Sequence, residues 1–171
     1  MVARAMFSTD GGYIFAFSVS SCDLQLSESR AAFLTATYWG AFTAGRILAI
    51  PLSVVASPRT LTAADIAGCL VASFSFYFFA DNELVVWLST GLFGLSLASV
   101  FPSTFTMLER YIPLSGRAAS IIMVGSAGGE MIMPLVIGQA FDVVGPQTFP
   151  VIVAATSAIG CIVFVMLLKV A

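Results

Sequence analysis

The chain of 171 residues contains no histidine, and only 9% of its residues are charged. The side chain that most often serves as general base or metal ligand near neutral pH is therefore missing. Its three cysteines, Cys22, Cys69 and Cys161, lie far apart, in or beside apolar runs, and none belongs to a C-x-x-C pair. That spacing excludes a structural zinc site and a haem attachment site. It reads the thiols as small apolar fillers. The basic residues form no stripe, so nucleic acid is not a partner. No resident cofactor or metal is implied by any motif. Linker-like and low-complexity stretches are also absent, and 1–171 reads as a single unit.

What the chain does have is apolar surface. It is 59% hydrophobic, with a mean hydropathy of +1.02. No soluble domain of this length buries so much, so the lipid bilayer is its solvent and the fold is an all-α membrane bundle. Five runs are each near the ~20 residues that a bilayer requires: 31–56, 61–80, 84–108, 118–141 and 149–170. The breaks between them are short and polar or contain Pro and Gly, which makes sequential helices antiparallel neighbours. A first span is deficient: its apolar part, 13–22, is too short to cross, and Asp10 with Gly11 and Gly12 interrupts it. A signal peptide led by Arg4 is an alternative, but no small-x-small cleavage site precedes a soluble sequence. The preferred reading is that 1–22 holds an incomplete first helix of a six-helix bundle.

Arg59, Arg110, Arg117 and Lys169 gather on one side of such a bundle, with Arg4 if the first segment spans. The other side holds Asp23, Glu28, Asp81, Glu83 and Asp142, with Arg30 the one basic residue. Basic residues favour the cytoplasm, which predicts that the Arg59 loop and the carboxyl end are inside. Phe76, Tyr77, Phe78, Phe79 and Trp87 flank the outer turn and read as an aromatic belt anchored in lipid.

Glu130 sits near the middle of 118–141, between the Gly128-Gly129 pair and Pro134. An ionisable group at that depth is costly and faces a cavity, a polar partner or a transport route. The neighbouring Gly and Pro suggest a weakened helix of the kind that builds transporter sites. The plainer alternative is a hydrogen-bonded glutamate that glues two helices. Arg46, in the span 31–56, lies at similar depth: both are some 15–18 Å from the cytoplasmic end at ~1.5 Å per residue. Opposite charges at one depth are candidates for an ion pair; otherwise Arg46 snorkels toward the cytoplasm. An enzyme acting inside the membrane needs paired acids, a metal set or a nucleophile–base pair. Without histidine or a second midplane carboxylate, the sequence reads as a non-enzyme.

A faint repeat links these two residues. Gly45-Arg46 leads through an apolar run to Pro51-Leu52, and Gly129-Glu130 leads to Pro134-Leu135. They fall in the middle helices of two successive three-helix groups that cross in opposite directions, as in an inverted-topology repeat. Six spans in two inverted triplets resemble one half of a major facilitator superfamily transporter. Gly45-Arg46, Pro51-Leu52-Ser53 and Arg59 resemble the second-half form of the superfamily's cytoplasmic signature. Glu109, Pro113 and Arg117 resemble the charged turn after the fourth helix of a half. Tyr38-Trp39-Gly40-x-Phe42-Thr43, Ser99-Val100-Phe101-Pro102-Ser103 and Gly129-Glu130-Met131 are similar to the sodium-dependent glucose transporter and fucose permease branch.

The resemblance implies a carboxyl-terminal half of a sugar carrier that works by alternating access, with a coupled cation (Na+ or H+). It places Glu130, Arg46, Trp39, Ser99 and Ser103 on the substrate or ion pathway, and Arg59, Glu109 and Arg117 at a cytoplasmic gate. Ser96, Ser99, Ser103 and Thr104 line a wet path or pack helices through small residues. The Trp39 indole stacks on a sugar ring or fills space. The signature departs at Val54, Val55, Ser57 and Pro58, which leaves Arg59 as its surviving basic position. A complete relative has twelve spans, so the chain is expected to be a fragment, a splice form or a half-size product. A half implies a partner: an amino-terminal half, a second copy, or a full-length transporter that the chain scaffolds or regulates.

Overall fold

A computed structural model describes residues 13–20, 26–109 and 116–170. Every regular element among them is helical: α1 (13–20), α2 (Glu28–Val55), α3 (Pro58–Phe78), α4 (Glu83–Glu109), α5 (Gly116–Val143) and α6 (Thr148–Val170). Helices α2 to α6 are each long and apolar enough to cross a membrane. They start up to three residues earlier than the apolar runs, because polar capping residues belong to the first turns. Ser57 caps α3 by accepting from the Thr60 N–H at 3.2 Å, with Pro58 in the first turn. Asn82 accepts from Leu84 N at 3.0 Å and starts α4. Gly145, at φ +106°, makes the turn into α6, a conformation other residues adopt only under strain. Arg4, Asp10, Gly11, Gly12, Cys22, Asp23, Arg110, Pro113 and the carboxyl-terminal Ala171 lie outside the described residues.

Helix α4 is the hub, packing against both α2 and α3, while α6 packs on α3 and α5. Lipid tails are as apolar as leucine, so close approach rather than hydrophobic gain selects the contacts. Small residues permit it. A Cβ on Gly45 of α2 would stand 2.8 Å from the Ala98 Cβ of α4, and one on Gly94 would stand 2.5 Å from the Tyr38 carbonyl oxygen. Gly68 of α3 fits against Ser96 of α4 so closely that a Cβ would collide with the Ser96 hydroxyl.

An aromatic cluster closes the end opposite the α2–α3 turn. Phe17 of α1 meets Phe76 of α3 at 5.3 Å and Phe149 of α6 at 5.5 Å between centroids. Phe141 of α5 joins at 6.1 Å from Phe149. Phe76, expected in the lipid belt, is therefore buried, whereas Tyr77, Phe78 and Phe79 are exposed as a belt requires. The difference is azimuthal: Phe76 lies on the α3 face that carries Cys69 and Ala72, also buried.

Burial is uneven. Over their membrane-length stretches, 11% of α2 and 17% of α5 is buried, against 56% of α4. Two long helices thus present most of their surface outward, and they are the two that carry Arg46 and Glu130.

Candidate functional site

A groove of about 960 Å³ runs between the second halves of α2 and α4, toward the Arg59 end. Arg46, Ser53 and Ser57 line it from α2 and the turn after it; Ser99, Ser103 and Thr106 line it from α4. Pro102 shapes the α4 wall. It has no N–H to return to the Ala98 carbonyl four residues back, and Ala98 also lines the groove. Arg46 is exposed, and its guanidinium lies over the Phe42 ring, 4.8 Å from the centroid. Such stacking partly offsets the cost of a cation in an apolar wall.

Ser99 and Ser103 are each 8% exposed, the degree of burial expected of helix-packing residues, yet both reach the groove. The Ser99 hydroxyl donates to Asp65 Oδ2 of α3 at 2.7 Å. Asp65 is half-buried. It was missed in reading the sequence, where Glu130 stood as the one intramembrane carboxylate. The signal was present, since Asp65 is the single charged residue of the run 61–80. It escaped notice because it lies near one end of that run, without a Gly/Pro setting like that of Glu130.

The structure does not bring all of the expected site together. Arg46 and Glu130 form no pair: among the described residues α2 and α5 make no contact. Similar depth left them on helices separated by the rest of the bundle. Glu130 is half-buried and makes no ion pair or hydrogen bond with the described residues. Helix α5 runs unbroken through this stretch, although Pro134 leaves the Glu130 carbonyl without its helical donor. The Tyr13 hydroxyl donates to the Pro134 carbonyl at 2.8 Å and holds α1 against this stretch. Trp39 does not fill the interior. It is 45% exposed on the uncovered side of α2, edge-on to Tyr38 at 5.2 Å. Arg59, Glu109 and Arg117 are exposed, at the start of α3, the end of α4 and the start of α5, respectively. Alternating helix direction places all three at one end.

At the opposite end Arg30 of α2 and Glu83 of α4 form an ion pair at 2.9 Å. The other Glu83 oxygen accepts from Trp87 Nε1 at 3.3 Å. The basic residue that broke the charge asymmetry is thereby matched to an acid, and the two parallel helices are clasped at their first turns.

A bundle of membrane-length helices, with charges at bilayer depth and a polar groove between two proline-containing helices, defines a multi-pass membrane protein. No family model matches the chain. It is 34% identical to the sodium-dependent glucose transporter 1 of Danio rerio, over 94% of this chain and 27% of that protein. It is 38% identical to the sodium-dependent glucose transporter 1A of Mus musculus, over 76% of this chain and 30% of that one. It is also 29% identical to the major facilitator superfamily domain-containing protein 4A of Xenopus tropicalis, over 98% of this chain and 34% of that one. The chain belongs to the major facilitator superfamily. It spans about a quarter to a third of the length of these relatives.

Proposed function

We propose that the chain forms the carboxyl-terminal six-helix half of a secondary carrier for sugar-class solutes. It works by alternating access, with Na+ or H+ coupling, and performs no enzymatic chemistry. The observation that carries this reading is the pairing of the groove with the uncovered face of α2. Arg46, Ser99 and Ser103 line one wall of a path, and the helix that bears Arg46 is the least covered of the bundle. Alternating access rocks two such walls about a shared site. The solute class comes from the relatives, which are named as sodium-dependent glucose transporters. Glu130 and Trp39 then face the second half, and Arg59, Glu109 and Arg117 form the inner gate. The membrane is the plasma membrane, with the carboxyl end in the cytoplasm.

The same uncovered face supports a second reading, in which the chain docks on a full-length transporter or on its own copy and regulates it. Reconstitution separates the two. The chain alone in liposomes supplies one wall and is expected to show no saturable glucose uptake. Co-reconstitution with the amino-terminal six helices of a relative is expected to restore it. Saturable uptake by the monomeric chain would overturn the half-carrier reading. Failure of any added half to restore uptake, with both halves folded, would favour the regulatory one.

A further inference from the structure

Asp65 stands about 10 Å into α3, seven residues past Pro58, within a helix long and apolar enough to cross a membrane. Its Oδ2 accepts from Ser99, and no basic side chain among the described residues forms an ion pair with it. The neighbouring charged groups lie elsewhere. Arg46 is on the α2 wall of the groove over Phe42, and Arg59 is at the start of α3. Glu83 and Glu109 occupy the two ends of α4, and Lys169 the last turn of α6. The other titratable groups on helices packed against α3 are Cys161 of α6, Glu28, Arg30 and Tyr38 of α2, and Tyr13 of α1. An intramembrane carboxylate without a countercharge is costly and marks a functional site by default.

Ser99 connects this carboxylate to solvent. Its hydroxyl has one hydrogen to donate and two lone pairs to accept with. The hydrogen goes to Asp65, and the side chain lines the groove. We propose that Asp65 is a proton-binding site filled from the groove through the Ser99 hydroxyl. A groove water bearing an extra proton passes it to Ser99 Oγ while Ser99 passes its own hydrogen to Asp65 Oδ2. One proton moves, the carboxylate charge goes from −1 to zero, and the hydroxyl is regenerated. The reverse sequence empties the site. Occupancy thus decides whether the α3–α4 seam carries a half-buried negative charge, which is the kind of difference that biases a two-state carrier. Its use in transport rests on the half-carrier reading above; the proton binding does not.

The test is an infrared difference titration of the purified full chain in lipid nanodiscs, in an E130Q background that removes the other intramembrane carboxyl. The carbonyl stretch of protonated carboxyls should grow as pH falls, and Asp65→Asn should remove one component of it, the remaining Asp and Glu side chains supplying the rest. Ser99→Ala should move that component to higher frequency, since a hydrogen bond to the carboxyl is lost. Replacing choline by sodium at constant pH should leave it unchanged. An Asp65→Asn chain that is folded by circular dichroism and keeps the full band would overturn the site. A band unmoved by Ser99→Ala would overturn the relay, and that arm stands even if Asp65→Asn fails to fold. Loss of that component on adding sodium would reassign the site to a metal cation. A positive titration alongside absent uptake in the co-reconstituted carrier would refute the transport reading and leave the proton site standing.

Discussion

Gly94 of α4 and Gly40 of α2 are both helical glycines, yet they tolerate a methyl group differently. A Cβ on Gly94 meets the Tyr38 backbone, which cannot step aside, whereas one on Gly40 meets nothing within 4 Å. Gly94→Ala is therefore expected to destabilise the bundle by about 1–3 kcal/mol through overpacking. Gly40→Ala should be neutral or slightly stabilising, as alanine is the better helix former. Thermal unfolding in detergent, followed by circular dichroism, compares the two; equal midpoints would show that α2 and α4 do not approach as described. The separation of Arg46 from Glu130 makes a second residue-scale prediction. Sites without shared partners add within about 0.3–0.5 kcal/mol. In a carrier restored to two halves, Arg46→Gln and Glu130→Gln should each lower uptake with surface level near normal, and the double variant should show the product of the two losses. Relief of one loss by the other would mean that the pair forms in a state other than this one.

Helices α2 and α4 run in the same direction, and two features tie them: the reciprocal glycine seats and the Arg30–Glu83 ion pair. The seats hold the middle and the ion pair holds one end, which leaves the other end free to splay into a groove. The ion pair is a weak tie, because its side chains are 61% and 39% exposed. Exposed pairs contribute roughly 0.2–1 kcal/mol. Glu83→Gln also weakens the acceptor for Trp87. It is expected to lower the unfolding midpoint slightly, with an effect that shrinks at high salt as charges are screened. A large or salt-independent drop would mean that Glu83 has a further partner.

For the whole molecule, the decisive quantity is orientation. With Arg30 matched to Glu83, the other basic side chains at helix ends among the described residues, Arg59, Arg117 and Lys169, cluster at one end. By the bias of basic residues, that end is expected in the cytoplasm. In a chain lacking its native cysteines, Asn82→Cys should react with an impermeant thiol reagent in intact cells. Arg59→Cys and Ala171→Cys should react only after permeabilisation. Labelling of the Arg59 position in intact cells, with the Asn82 position silent, would invert the molecule and place the groove mouth outside.

The sequence by itself determined the number, length and order of the helices, because a bilayer demands about 20 apolar residues with every backbone group paired inside the segment. That rule is local, so α2 to α6 were legible from composition. The lost helical donor at the Glu130 carbonyl was legible for the same reason: a missing N–H at Pro134 is a property of the chain. Azimuth was not legible. Whether Phe76 faces lipid or core, whether Trp39 is covered, and whether Arg46 can reach Glu130 depend on how helices far apart in sequence rotate against one another. That rotation is set by a few glycine and serine seats, Gly45, Gly68, Gly94 and Ser96, whose partners lie on other helices. Asp65 was present in the sequence as a lone charge in an apolar run; only the packing of α3 on α4 placed Ser99 beside it and the groove behind Ser99.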